Sequence, residues 1–198
     1  MKLRIAFLLA TIGCGTGPGA APPVVSPPAE RAEAAPGLRL PRTFVPTGYA
    51  VRLAVVPSEA QFAGHIEIEG ELASPSRVIW LDAQGLTFGA AVAVTAAGRT
   101  TLDAVPSPTG VVALRAPKAL PAGHVVLVID YRGAVNPTSQ DGVFREQSGG
   151  AWYAFTQFEA TYARRAFPCF DEPDVKVPWR LTLDVPAGMI ALSNAPVE

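Results

Sequence analysis

The pattern that most constrains this chain is a repeated alternation of apolar and polar residues. In "GHIEIEGELA" (64–73), Ile66, Ile68 and Leu72 alternate with a histidine and three glutamates. Because successive side chains of a strand point to opposite faces, this alternation predicts a strand with one buried face and one wet face. The segments "YAVRLAVVP" (49–57) and "WRLTLDVP" (179–186) follow the same rule.

Shorter apolar runs extend the pattern along the chain. They are "RVIWLD" (77–82), "VAVT" (92–95), "VVALR" (111–115) and the near-continuous "HVVLVIDYR" (124–132), which predicts a strand covered on both faces. Gly, Pro, Ser and Asn separate these runs. Only "EATYARRAF" (159–167) could begin a helix, and Pro168 limits it. The fold class predicted is therefore all-β, a sandwich of antiparallel sheets.

Composition narrows the function classes. Apolar residues make up 49% of the 198-residue chain and charged residues 17%, which excludes a disordered polyelectrolyte. The net charge is −1 and the two signs are mixed, so nucleic acid is not expected as a partner.

The N-terminal segment resembles a targeting signal. "MKLR" followed by "IAFLLATIG" is typical of a signal peptide over residues 1–13, and Cys14 in "ATIGCG" resembles a bacterial lipoprotein cleavage site. Ordinary cleavage and an unmodified cysteine are the alternatives. Residues 14–38 are rich in Pro, Ala and Gly and predict a tether. We therefore expect export to a bacterial cell envelope, as a lipid-anchored or periplasmic protein, with the membrane contacted through the lipid on Cys14.

The chain shows no complete catalytic centre. His65 and His124 stand far apart, and no His-Glu-x-x-His pair for zinc is present. Both histidines are expected on strand surfaces. Cys169 lies between Pro168 and Phe170, which suits a buried and unreactive thiol.

The segment "AWYAFTQFE" (151–159) suggests a binding edge. If it is extended, Tyr153, Phe155, Gln157 and Glu159 share one face. A carboxylate beside an amide suits a ligand with an ammonium group next to an uncharged side chain. The alternative is that Glu159 pairs with Arg164 or Arg165 and has no further role. The following "RRAFPCFDEP" predicts a buried corner whose charges satisfy one another.

These residues resemble a known family. "TQFEATYARRAFPCFDEPDVK" (156–176) is similar, almost position by position, to a segment of the zinc aminopeptidases typified by aminopeptidase N, the membrane alanyl aminopeptidases. The similarity extends through "LTLDVPAGMIALSNAPV" (181–197) and includes "VIWLDAQGL" (78–86). It begins early, in "LPRTFVPTGYAVRLAVVPSEAQFAGHIEIEGEL" (40–72).

The resemblance implies a saddle-like N-terminal β domain over residues 39–198, incomplete at its C-terminal end. It implies that Glu159 binds the free α-amino group of peptide substrates and that Gln157 lines the pocket for the first side chain. It places zinc in a catalytic domain of the same polypeptide, downstream of Glu198, so that the chain alone is expected to bind no metal and to be inactive. The alternative is a standalone, non-catalytic binding domain on a lipid tether.

Overall fold

A computed structural model describes residues 34–196. Its strands are β1 (Phe44–Ala54), β2 (Gln61–Leu72), β3 (Ser76–Asp82), β4 (Thr87–Thr95), β5 (Gly98–Thr101), β6 (Asp103–Pro106), β7 (Val111–Leu120), β8 (Gly123–Ala134), β9 (Gly142–Ser148), β10 (Ala151–Gln157) and β11 (Trp179–Asp184). One turn of 3-10 helix, Ala163–Arg165, lies between β10 and β11. The all-β prediction is confirmed, and all the predicted strands are present.

Three sheets organise these strands. A six-stranded sheet has the order β11-β1-β2-β8-β4-β5, a three-stranded sheet has the order β3-β7-β6, and β9 and β10 form a hairpin. The two larger sheets share one hydrophobic core, to which Ile66, Ile68 and Leu127 contribute from one side and Ile79 and Leu114 from the other. This is the β-sandwich that the alternation predicts.

One strand pair departs from the antiparallel expectation. β11 pairs with β1 in parallel, with Tyr49 opposite Trp179 and Ala54 opposite Asp184. Parallel neighbours require a long crossover connection, and many residues separate β1 from β11 along the chain. Residues 158–178, immediately before β11, carry the corner described below.

The prediction that β8 is covered on both faces is wrong. Val125, Leu127 and Ile129 are buried, whereas Val126 and Val128 are only partly buried on the outer face of the six-stranded sheet. Long runs of consecutive buried residues occur instead in β3 and β7 of the three-stranded sheet. A run of valines fits the pleated surface even where one face is open, so composition alone did not distinguish the two cases.

Candidate functional site

The predicted binding edge lies on the β9–β10 hairpin. Gly149 and Gly150 form its two-residue turn with φ values of +56° and +82°. Positive φ at both positions is the conformation of a type I′ turn, which matches the twist of the two strands. β10 runs from this turn toward Gln157, which is opposite Gly142 at the far end of the hairpin. Tyr153, Phe155 and Gln157 are all exposed on β10, at alternate positions.

Gln157 and Glu159 are adjacent, but not through the pleat of a strand. β10 ends at Gln157, and Glu159 lies in the turn that follows it. The side-chain amide oxygen Oε1 of Gln157 accepts a hydrogen bond from the backbone N–H of Glu159, with a donor–acceptor distance of 3.0 Å. The predicted strand over 151–159 is therefore two residues too long. The hydrogen bond holds the Gln157 amide against the backbone of Glu159.

The carboxylate of Glu159 has no ion-pair partner among residues 34–196. Its side chain is exposed. The alternative, a pair with Arg164 or Arg165, is wrong because both guanidinium groups bind other carboxylates. Glu159 thus presents an anionic group to solvent from the turn whose backbone binds the amide of Gln157.

Arg164 is the centre of a buried ionic network. Its Nη1 lies 3.0 Å from Oδ1 of Asp82, and its Nε donates to Oδ2 of Asp171 at 2.9 Å. The backbone N–H of Asp171 also donates to Oδ2 of Asp82 at 3.0 Å. Burial raises the pKa of the Asp82 carboxyl, against the opposing effects of Asp171 N–H and the arginine. The network satisfies polar groups that would otherwise be costly to bury.

Arg165 joins the 3-10 turn to the start of β9. Its Nη1 lies 3.3 Å from Oδ2 of Asp141, and its guanidinium carbon lies 5.1 Å from the ring centre of Tyr162. At Gly142, which has φ +68°, an added Cβ would lie only 2.7 Å from Cβ of Arg165. A residue without a side chain is therefore needed here. This contact places the turn carrying Glu159 next to the hairpin end carrying Gln157.

The rest of the corner (residues 164–173) is hydrogen-bonded to both of the larger sheets. The backbones of Asp82 and Cys169 exchange two hydrogen bonds, and Phe170 N–H donates to the Tyr49 hydroxyl at 3.1 Å. Glu172 Oε1 accepts from Leu40 N–H at 2.8 Å. A buried corner is present as predicted, but its charges are paired with one another only in part: Arg164 binds Asp171, whereas Arg165 binds Asp141 outside the corner. Cys169 is buried, and burial raises the pKa of its thiol.

Sequence reasoning missed Asp82 and Asp141 as partners of the two arginines. Asp82 ends the apolar run of β3, where a lone buried carboxylate is a signal that a cation lies nearby. Nothing in the sequence indicates which cation it is, since 82 positions separate Asp82 from Arg164.

The two histidines lie on surface strand positions, as predicted, with His124 exposed and His65 partly exposed. His65 Nδ1 lies 2.6 Å from Asp130 Oδ1, and His124 Nδ1 lies 3.4 Å from Glu71 Oε1. Within residues 34–196, no group of three or more His, Cys, Asp or Glu side chains could hold a metal ion. The zinc implied by the resemblance thus has no ligand set in this part of the chain.

The predictions for the N-terminal segment fall outside the described residues. These are the signal peptide over 1–13, lipidation at Cys14 and most of the tether over 14–38. Across the described residues, no helix is long and apolar enough to cross a membrane.

Comparison with known proteins gives the family. Residues 45–198 match the model of the peptidase M1 N-terminal domain. The chain belongs to the peptidase M1 family. The resemblance noted from the corner residues is therefore confirmed. The matched region contains the hairpin, the corner and both Gln157 and Glu159.

Relatives occur in several kingdoms. Aminopeptidase M1-B of Oryza sativa is 36% identical over 80% of this chain, and Puromycin-sensitive aminopeptidase of Caenorhabditis elegans is 33% identical over 79%. Aminopeptidase N of Acetobacter pasteurianus is 30% identical over 80% of this chain. The aligned region is 18%, 17% and 45% of these relatives, respectively, so the chain corresponds to a minor part of each.

The predicted location in a bacterial cell envelope is wrong. The relatives include aminopeptidases of rice, Arabidopsis thaliana and Caenorhabditis elegans, which does not support a bacterial envelope protein. The prediction was based on residues 1–14, whereas the family match begins at residue 45. A short basic and apolar segment is a compositional signal, and the folded domain carries no physical requirement for it.

Proposed function

We propose that this chain is the substrate-anchoring part of an M1 aminopeptidase that removes N-terminal residues from peptides. In this proposal Glu159 binds the free α-ammonium group of the substrate and Gln157 lines the pocket for the first side chain. Zinc and the groups that act on the scissile bond belong to another domain of the same polypeptide. The isolated chain then binds peptide ends without cleaving them.

The observation that carries the proposal is the free carboxylate of Glu159. An exposed carboxylate with no ion-pair partner among residues 34–196 is available for an ammonium ion, and a charge-assisted hydrogen bond to such an ion is about twice as strong as a neutral one. Arg164 and Arg165, the arginines nearest in sequence, bind Asp82, Asp171 and Asp141 instead of Glu159. These ion pairs engage the two nearby cations, so the carboxylate of Glu159 is accessible to a ligand.

The amide of Gln157 complements this charge. Its Oε1 is occupied by the N–H of Glu159, so its Nε2 faces away from that bond and can donate to a ligand. The same bond restrains the backbone of Glu159. A restrained backbone limits the positions open to the Glu159 carboxylate, and orientation of a peptide end before reaction can contribute several kcal/mol, up to roughly 7–11 kcal/mol in the best cases.

The test is kinetic and uses a polypeptide that joins this domain to an M1 catalytic domain. We expect Glu159→Ala to lower kcat/KM for aminoacyl substrates by about 100-fold, because a charged contact to the substrate is lost. Glu59→Ala is the matched control, since Glu59 is an exposed glutamate on a different loop. Equal kcat/KM for the Glu159→Ala and parent enzymes would contradict the assigned role.

A further inference from the structure

The turn that carries Glu159 is anchored to the core at its first residue. The ring of Phe158 packs against that of Phe167, with centroids 5.4 Å apart. Tyr162 N–H donates to the carbonyl oxygen of Phe158 at 2.9 Å, so Glu159 lies inside a closed turn over residues 158–162. The far end of this turn is Tyr162, and the position of Glu159 therefore depends on what holds Tyr162 as well.

Arg165 connects the far end of the turn to the hairpin. Its guanidinium carbon lies 5.1 Å from the ring centre of Tyr162, a cation–π contact, and its Nη1 lies 3.3 Å from Oδ2 of Asp141. Its Nε donates to Oε1 of Gln84 at 3.4 Å. A planar guanidinium can make all three contacts at once, which the point charge of a lysine cannot.

These contacts complete a closed circuit around Glu159. Asp141 directly precedes Gly142, which is opposite Gln157 across the hairpin. Oε1 of Gln157 in turn accepts from the N–H of Glu159. The turn is thus joined to the hairpin at its start by this hydrogen bond and at its end by an ion pair. We call the three side chains at its end the clasp: Tyr162, Arg165 and Asp141.

The exposure of the clasp distinguishes it from the neighbouring buried network of Arg164. The side chains of Arg165 and Asp141 are 34% and 28% exposed. A partly solvated ion pair contributes little to the free energy of unfolding. Loss of the clasp should therefore release the end of the turn while the domain stays folded.

We propose that Tyr162, Arg165 and Asp141 are positioning residues for the aminopeptidase reaction and act through Glu159. This inference rests on the proposed function of Glu159. The clasp restrains the backbone of the turn, so that the carboxylate meets the α-ammonium group of the peptide where the scissile bond is aligned. Without the clasp the carboxylate is present but its position varies, and a displacement of about 1 Å in such a site can lower the rate by about 100-fold.

The first measurement uses the 198-residue chain and is independent of activity. Backbone ¹⁵N relaxation gives the order parameters of residues 158–162 in the parent and in Arg165→Gln. We expect about 0.85 in the parent, typical of rigid backbone, and a fall toward about 0.6 in the variant. Arg52→Gln is the matched control, because Arg52 also forms an exposed ion pair with an aspartate, on the six-stranded sheet. An equally rigid turn in Arg165→Gln would overturn the proposal.

The second measurement is kinetic and uses the polypeptide that joins this domain to an M1 catalytic domain. Arg165→Gln should lower kcat/KM by about tenfold, because the peptide end is oriented less precisely. In the Glu159→Ala background the same substitution should have no further effect, since the clasp acts through that carboxylate. A loss of folded protein would lower activity equally in both backgrounds, so the double variant separates positioning from a structural role.

Two further variants test the other members of the clasp. Tyr162→Phe keeps the ring beneath the cation and should retain most of the parent kcat/KM, whereas Tyr162→Leu should resemble Arg165→Gln. Asp141→Asn breaks the same ion pair from its other side and replaces Arg165→Gln if that variant does not fold. An Arg165→Gln enzyme with the parent kcat/KM, or multiplicative losses in the double variant, would overturn this inference and leave the proposed function standing. A Glu159→Ala enzyme with the parent kcat/KM would overturn the proposed function itself.

Discussion

Arg164 joins three segments of the chain that are remote from one another. It binds Asp82 at the end of β3 and Asp171 in the corner, and its own backbone carbonyl accepts from Gln84 N–H. Its side chain is 19% exposed, and that of Asp82 is 7% exposed. A buried ion pair contributes little compared with an apolar replacement of both partners, but removing one partner leaves an uncompensated charge.

We expect Arg164→Met to lower the free energy of unfolding by about 3 kcal/mol at pH 7, because Asp82 and Asp171 lose their shared cation. Urea denaturation of the parent and variant chains measures the difference. Arg42→Met is the control, since Arg42 is half exposed in its contacts with Asp174 and Glu172 and should cost about 1 kcal/mol or less. Equal costs for the two variants would show that the Arg164 network does not stabilise the corner.

The decrease in the free energy of unfolding caused by Arg164→Met should also depend on pH. Burial raises the pKa of Asp82, and loss of the arginine removes an effect that lowers it. A carboxyl whose folded-state pKa lies above its unfolded value of about 3.9 contributes stability below that unfolded value, and the contribution is lost as pH rises through the folded pKa. The variant should therefore be closest to the parent in stability near pH 4. A cost that grows as pH falls would contradict this assignment.

At the scale of elements, side-chain contacts with β1 hold both ends of β11 in the sheet. It lies at the edge of the six-stranded sheet, and β1 is its only neighbour among the described strands. Arg52 on β1 binds both carboxylate oxygens of Asp184 on β11, at 2.5 and 3.0 Å. At the other end, Trp179 stacks on Tyr49 with ring centroids 4.1 Å apart.

We expect Asp184→Asn to lower the hydrogen-exchange protection of β11 amides while β2 and β8 keep theirs. The bond from Arg52 lowers the pKa of Asp184. Its stabilising contribution is therefore present above the unfolded pKa and lost as pH falls through the lowered value, so exchange should be compared at pH 7. Glu67→Gln, on the neighbouring outer face of β2, is the control. Unchanged protection of β11 would show that pairing with β1 alone retains the strand.

The sequence predicted the long strands better than the short ones. β2 and β11 were predicted because their side chains alternate, and β8 because its apolar residues form a run. β5 (GRTT), β6 (DAVP) and β9 (GVFREQS) were missed, since none has enough apolar residues to show a period. Their pairing partners determine that they are strands. β9 matters most, because it positions Gln157 and supports Phe155.

At the scale of the whole molecule, two sheets and one corner place the candidate site. The corner residues Ala166, Phe167, Cys169 and Phe170 belong to the same hydrophobic core as the two large sheets. Any change that loosens this core should therefore reach the turn that carries Glu159. The exposed turn that carries Glu159 is therefore connected to the shared core through the corner.

We expect the purified 198-residue chain to bind no stoichiometric zinc and to hydrolyse no aminoacyl substrate. The sequence holds no His-Glu-x-x-His pair, and the two histidines are on the surfaces of separate strands. Elemental analysis after dialysis against zinc measures the first expectation, and release of a chromogenic leaving group measures the second, with an active aminopeptidase as positive control. Stoichiometric retention of zinc would refute the division of labour proposed above.

The sequence by itself determined the fold class, the long strands, the family and the two residues of the proposed anchor. These depend on local patterns, because alternation reflects the pleat of each strand and a dense motif identifies the family. Only the tertiary structure decided that Glu159 is free. That depends on Asp82 and Asp141 binding the two arginines, and on Gly142 admitting Arg165 against the hairpin. Contacts between residues so distant in sequence follow from packing of the whole chain, and no local period encodes them.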